Sequence, residues 1–534
     1  MKKAALTVAL LGSVVAFAAV TIAQTTSKPI IVGSSQPVSL ASGKISDGNS
    51  IWVQLQIYDR LMEFKPGTAD TMPGLALSMR ANATASLWTI NLRPGVTFTD
   101  GTKMDAAAVK FNFDFWWDDS RAGFFKSGNS IVPDIFEAYK SGNSIIREVK
   151  VVNPSTVTVA LRQPMANFDE VMATGYFGIA SPTAIRAAGE EKYGTAASLP
   201  VGTGPFVAKS WQTGDRILLE ANRAYWRRGQ PKAPGIIVRF INDAAARIAE
   251  LRAGTIDMLP TGALPYDSLA TIKADAKLKP VFRPSFNVGY LALNQVAEFG
   301  GAKNPLNNKN VRLAVASAIN KKQIVESFYG EYGITNGYLP PTVMDWSYPK
   351  AKRDYVFNPE AAKKLLSDAG YPNGFNMELW YMPVSRPYFP NAKPLAEAMA
   401  KDLSAVGIKV ELKSKDWGAY LDDADAGKFQ AFMLGWTGDY NDPDNFYTPL
   451  IGPGTAKETG YNNPALFKLL DDARVATTKA AKGDIYGKVA DILFDDIVKM
   501  PIVHSRPLNA QRVGVEGWTL SPFGGEPLTE VTVK

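Results

Sequence analysis

In 534 residues there is no cysteine. Disulfides, thiol nucleophiles, thiolate metal sites and lipidation of an exported N-terminus through cysteine are therefore excluded. Histidine is nearly absent too: His504, in PIVHSRP, stands alone. A Ser-His-Asp triad would have to use it, and no G-x-S-x-G or H-E-x-x-H accompanies it. One histidine set among apolar residues and a serine reads as structural. No sign of charge dominates: 58 basic residues face 51 acidic ones, for a net charge of +7 that includes Lys2 and Lys3. The basic residues are scattered, with no run longer than a pair such as Arg227 and Arg228 and no RNA-recognition or zinc-knuckle pattern, so no nucleic acid partner is expected. GTGPF at 202–206 lacks both the G-x-G-x-x-G spacing and the Walker lysine, and reads as a tight chain crossing rather than a phosphate loop. Low-complexity tracts and short repeats are also missing.

The single long apolar run lies at 4–22, behind Lys2 and Lys3 and ahead of small residues. That is the pattern of a secretory signal, with cleavage expected near Ala23 and no lipid anchor. Composition beyond it, 46% hydrophobic and 20% charged, is that of an ordinary folded protein. About 510 residues exceed one compact core, so two or three domains are expected. Trp88, Ile90 and Leu92 alternate, as do Val157, Val159 and Leu161, and 109–117 has helical spacing with aromatic faces. Phe111, Phe113, Phe115, Trp116 and Trp117 there suit core packing better than a ligand box. Val311, Ala314, Val315, Ala318, Ile319, Val325 and Phe328 mark one helical face, with Asn310 as its expected cap.

The chain is organised around 430–447, QAFMLGWTGDYNDPDNFY. Ala431 to Leu434 form a short apolar run suited to a strand of a parallel sheet buried on both faces, after which Gly435, Trp436, Thr437 and Gly438 read as the start of a loop leading to Asp439. Asn441, Asp442, Pro443, Asp444 and Asn445 continue it as turn residues. A plain solvated turn is one reading. The other follows from 375–391, FNMELWYMPVSRPYFPN, where Phe375, Met377, Leu379 and Tyr381 alternate, Pro383 ends the strand and Arg386 follows. A helix over 395–406 and a strand over 408–412 complete a right-handed βαβ unit, whose parallel strands end on one edge. Arg386 and Asp439 then share a rim where open α/β sheets bind ligands. A fixed cation and a fixed anion facing one crevice suit a zwitterion.

GWTGDYNDPDNF, MPVSRPYFPNAK and KDWGAYLDDADAGKF, with YDRLMEF, LRPGVTFTDG, GTGPF and NVGYLALN in order along the chain, resemble the dipeptide-binding proteins of bacterial ABC importers, within the family-5 peptide and nickel extracytoplasmic solute-binding proteins. The resemblance implies an α/β fold of the type II periplasmic binding protein class (cluster C), with two ligand-closing lobes and an extra α+β domain. It implies a signal peptide at 1–23, a first lobe from 24–58, 200–284 and 505–534, the extra domain at 59–199, and a second lobe at 285–504 carrying the ligand loops. It assigns the ligand's amino terminus to Asp439 and its carboxylate to Arg386, with Tyr388, Trp417, Gly435, Trp436 and Thr437 around them. A periplasmic, monomeric, non-enzymatic receptor is implied, without cofactor or metal, partnered by a short peptide and by inner-membrane permease subunits. Other members of the family carry longer peptides, oligosaccharides, opines, haem or metal chelates, and DYNDPDN mixes dipeptide and oligopeptide features. A secreted glycosidase using the loop acids Asp439, Asp442 and Asp444, or a peptidase, is the alternative of another class.

Overall fold

The alternating residues near Trp88 and Val157 become two strands of a four-stranded antiparallel sheet, ordered Ala76–Ala81, Leu87–Leu92, Thr156–Leu161, Ile146–Asn153. One face buries Trp88, Ile90, Val157 and Val159, as the period of two requires. Helix Ala106–Trp117 lies against it, capped by the Asp105 carboxylate, which accepts from Ala108 N at 3.0 Å. Its aromatics are packing residues: Phe113, Phe115, Trp116 and Trp117 are buried, and the Trp117 indole donates to Ser144 Oγ at 2.9 Å. The coordinates come from a computed structural model that describes residues 28–45, 47–121, 131–476 and 478–534. The signal segment expected at 1–23 lies outside those residues.

A second sheet of seven strands gathers distant pieces of chain. Ile30–Ser34 sits at its centre, parallel to both Gly235–Phe240 and Met258–Leu264. Arg216–Ala221 and Phe206–Gln212 extend one side as an antiparallel hairpin, and Leu508–Arg512 returns from the end of the chain to extend the other. A continuous hydrophobic core joins much of this sheet to the four-stranded one. The crossing expected at 202–206 is tight. A Cβ on Gly202 or Gly204 would lie 2.2 or 2.5 Å from the backbone of Ile57, so only glycine fits.

The third sheet, of six strands, runs Gly333–Ile334, Lys499–Ser505, Asn287–Leu293, Ala431–Thr437, Asn376–Trp380, Lys409–Lys413. Every residue of Asn287–Leu293 is buried, and this sheet has its own core. The expected βαβ unit is present: Asn376–Trp380 and Lys409–Lys413 pair in parallel, joined by helix Ala392–Ser404 with Asn391 before it and Pro394 in its first turn. The helical face over 311–328 is two helices. Asn308, not Asn310, caps Lys309–Ala318, and after a break at Ile319 the Asn320 side chain caps Lys321–Tyr329. Asn320 N donates to Asp402 at 2.9 Å, and that bond replaces the helical one lost at the break. Among the described residues no helix is long and apolar enough to cross a membrane.

Candidate functional site

The strand expected to end at Leu434 continues to Thr437. Ala431–Thr437 pairs residue for residue with Asn287–Leu293, from Leu293↔Ala431 to Asn287↔Thr437, and the pairing is antiparallel. Only its other edge is parallel, to Asn376–Trp380. Gly435, Trp436 and Thr437 are therefore strand residues rather than loop residues, held by a partner far away in sequence. Glycine survives inside this strand for a packing reason. Gly435 faces Gly289 across the ladder, and the pair leaves a flat seat: a Cβ on Gly435 would fall 2.4 Å from the Tyr388 ring, and one on Gly289 2.6 Å from the Phe389 ring.

That seat positions the loop carrying Arg386. Tyr388 and Phe389 lie on the glycines with their rings edge-on at 5.6 Å. Tyr329 Oη donates to the Tyr388 carbonyl at 2.7 Å, Ser505 Oγ to the Pro387 carbonyl at 2.6 Å, and Arg386 N to the Phe389 carbonyl at 3.1 Å. The Arg386 guanidinium lies over the Trp417 ring, 4.9 Å from its centroid. Trp417 opens helix Trp417–Asp425 and stacks in turn on Tyr420 at 5.7 Å. Stacking fixes the plane of the guanidinium and leaves its N–H edges open. Among the described residues no carboxylate pairs with it. Tyr388 is buried, and burial pushes its hydroxyl up to about 12. Gly435→Ala should thus lower stability by about 1 to 3 kcal/mol and loosen the Arg386 loop. Guanidinium unfolding checks this, and an unchanged midpoint would contradict the seat.

Asp439 follows the strand by two residues. Asn445, in helix Asp444–Ile451, pins it: Asp439 N donates to Asn445 Oδ1 at 2.7 Å, the Trp436 indole donates to the same oxygen at 3.2 Å, and Asn445 Nδ2 reaches Asp439 Oδ2 at 3.4 Å. The other carboxylate oxygen, Oδ1, accepts from Tyr176 Oη at 2.7 Å. Tyr176 comes from the turn Gly175–Phe177, in the part of the chain that builds the four-stranded sheet, so the bond joins two halves of the molecule. Burial pushes the Asp439 carboxyl up to about 6, against the pull of these hydrogen bonds. Among the described residues no cation pairs with it. The structure thus places a carboxylate and a guanidinium, each without an opposite charge, beyond the ends of two neighbouring parallel strands.

Residues 70–458 match the family described as bacterial extracellular solute-binding proteins, family 5. The chain belongs to that family. This family 5 protein is 32% identical over 512 residues to the dipeptide-binding protein of Escherichia coli K12, covering 93% of this chain and 92% of that one. It is also 32% identical over 513 residues to heme-binding protein A of Haemophilus influenzae, covering 93% and 90%. Among solved structures, the dipeptide-binding protein of Pseudoalteromonas sp. SM9913 in complex with Met-Leu superposes with a TM-score of 0.82 at 27% identity, covering 95% of this chain and 100% of that one. The fold is that of type II periplasmic binding proteins, as expected from the sequence.

Two residues that hold Asp439 were not among those expected at the candidate site. Tyr176 lies 263 positions from Asp439, beyond any local pattern. Asn445 had a signal, since asparagine in a turn often binds nearby backbone N–H groups. The other loop acids are engaged elsewhere: Asp442 is buried against Lys482 and accepts from Tyr486 Oη at 3.0 Å, and Asp444 accepts from Thr448 Oγ1 at 2.5 Å. His504 is buried between the carbonyls of Asn287 at 2.7 Å and Tyr338 at 3.1 Å, and burial lowers its pKa to about 4. Among the described residues no cluster of His, Cys, Asp or Glu suits a metal ion.

Proposed function

We propose that this protein is the periplasmic receptor of an ABC importer, closing two lobes over a short peptide, in its simplest form a dipeptide, and delivering it to inner-membrane permease subunits. The observation that carries this reading is the pair of unpartnered opposite charges, Asp439 and Arg386. A half-buried carboxylate served only by a hydroxyl and an amide favours a cation, and a stacked guanidinium with free edges favours a carboxylate. An extended dipeptide spans ~7 Å between its ends, so two fixed charges act as a length gauge. Trp417, Tyr388, Gly435, Trp436 and Thr437 shape the wall between them. The names of the relatives that bind dipeptides support the cargo.

In this reading the chain does no chemistry. The lobes are 24–58 with 200–284 and 505–534, and 285–504; the extra domain is 59–199. Closure is a hinge motion at the crossings near 285 and 505. Residues 1–23 direct export and are removed without lipidation, and the receptor acts as a monomer. A haem cargo fits less well, because His504, the sole histidine, is enclosed and held by carbonyls. Mass spectrometry of the small molecules released when the purified protein is denatured tests the proposal. Dipeptides of mixed sequence are the expected result; haem, an opine or a sugar would overturn it.

A further inference from the structure

The cross-molecule bond at Asp439 belongs to a larger contact. Tyr440 is 7% exposed and inserts into the core shared by the seven- and four-stranded sheets, to which no other buried residue between 285 and 504 contributes among the described residues. Arg474 reaches Glu137 at 3.1 Å. Between these, the turn Phe168–Val171 meets the loop at 439–445, and Glu170 accepts from Asn441 N. Glu170 Oε2 and Asn441 Oδ1 are both enclosed without a hydrogen-bond partner. Each of these oxygens is an acceptor enclosed without a donor of its own, which is costly unless a proton is supplied.

The groups around Glu170 add to the demand. Asp169 lies beside it on the same turn and Asp442 faces it from the loop. Lys482, on helix Lys479–Asp496, is the nearby cation, but it is already bonded to Asp442. Farther along the loop Asp444 lies 3.8 Å from Arg474, and the strand Met62–Phe64 behind the turn turns Glu63 to Arg227 at 2.7 Å.

We propose that this contact is a proton-linked clasp: Glu170 takes up a proton as the lobes close, so closure strengthens as pH falls. The proposal rests on the lobe-closing reading but not on the cargo. Burial, with Asp442 and Asp169 adding to it, raises the Glu170 carboxyl from the ordinary 4.5 to about 8 in the closed form. When the lobes part, the carboxyl is hydrated and returns toward its ordinary value. Its contribution to closure is complete below the open-form pKa and is lost as pH rises through the closed-form one. Between those limits the closed-to-open ratio falls about tenfold per pH unit. Asp439, near 6, takes its own proton lower down, while Lys44, which burial lowers to about 7, titrates in the same range, so the pH dependence is assigned to Glu170 by its loss in Glu170→Gln.

Because cysteine is absent, spin labels placed through Val152→Cys and Val356→Cys report on one pair of sites in the full chain, and both positions are exposed. Their distance distribution is measured on cargo-free protein at pH 6.5, 7.5 and 8.5. The expected result is a short-distance population that shrinks as pH rises, and in Glu170→Gln a pH-independent short population. A wild-type distribution that does not change with pH overturns the clasp, even should the variant not fold. A Glu170→Gln protein that keeps the wild-type pH dependence overturns it as well. Wild-type pH dependence lost in Glu170→Gln, with no binding of Met-Leu by either protein, supports the clasp and strikes only the peptide reading.

Discussion

Asp439→Asn should weaken the binding of a free dipeptide by about 3 to 5 kcal/mol, on the order of a hundred- to a few thousand-fold. The substitution keeps the size of the side chain, with its oxygen still accepting from Asn445 Nδ2 and its amide N–H turned to donate to Tyr176 Oη, yet it leaves the ligand ammonium desolvated beside a neutral amide. Arg386→Met should cost about as much at the other end, because a carboxylate would then face the Trp417 ring without its guanidinium. The two variants differ in which ligand modification they forgive. Against Asp439→Asn, acetylating the dipeptide's amino terminus should add little to the loss, since the interaction it removes is already gone. Against Arg386→Met, amidating its carboxyl terminus should add little. Each comparison is a double-mutant cycle between protein and ligand, readable by calorimetry. Full additivity in both cycles, or dipeptide affinity unchanged in either variant, would remove these residues from the site.

Glu526→Ala should lower stability by about 3 to 5 kcal/mol, seen as a lower guanidinium midpoint. Arg283 and Glu526 form a buried ion pair at 2.5 Å, with side chains 3% and 8% exposed. Arg283 sits at the crossing between Leu278–Phe282 of the seven-stranded sheet and Asn287–Leu293 of the six-stranded one. Its guanidinium also donates to the carbonyls of Ser521 at 2.9 Å and Pro260 at 2.7 Å, while Glu526 accepts from the Trp518 indole at 2.7 Å and Ser521 N at 3.0 Å. Removing the carboxylate strands a charge and an indole N–H together. Replacing both partners, Arg283→Met with Glu526→Leu, should be less harmful than Glu526→Ala, because no charge is left enclosed. Equal midpoints for wild type and Glu526→Ala would contradict this account of the crossing.

What the sequence disclosed follows from range. The βαβ unit behind Arg386 was readable because its periodicity, Pro394 and Gly407 act within a few residues. Asp105, Asp243 and Asn358 cap helices where local rules place them. The strand to Thr437 was not readable, since Trp436 and Thr437 owe their extended backbone to partners at Val288 and Asn287, and Gly435 owes its place to a ring at Tyr388. The split at Ile319 was hidden by an apolar pattern that runs straight through it, although Asn320 before Lys321 was an available cap signal. The positions of Asp439 and Arg386 beyond two neighbouring strands were legible because they sit in loops rich in turn residues beside strong strands. Tyr176 was not, because the pairing that brings it to Asp439 is made by the fold as a whole.

The claim that Asp439 and Arg386 hold the two ends of one short peptide is tested most directly by calorimetric titration of the wild-type protein, unfolded and refolded to strip its cargo. The titrants are Met-Leu, its N-acetyl and C-amide derivatives, and a pentapeptide. Tight binding of free Met-Leu, with each blocked form and the pentapeptide at least a hundred-fold weaker, is the predicted result. A pentapeptide or an end-blocked dipeptide that binds as tightly as Met-Leu would contradict it.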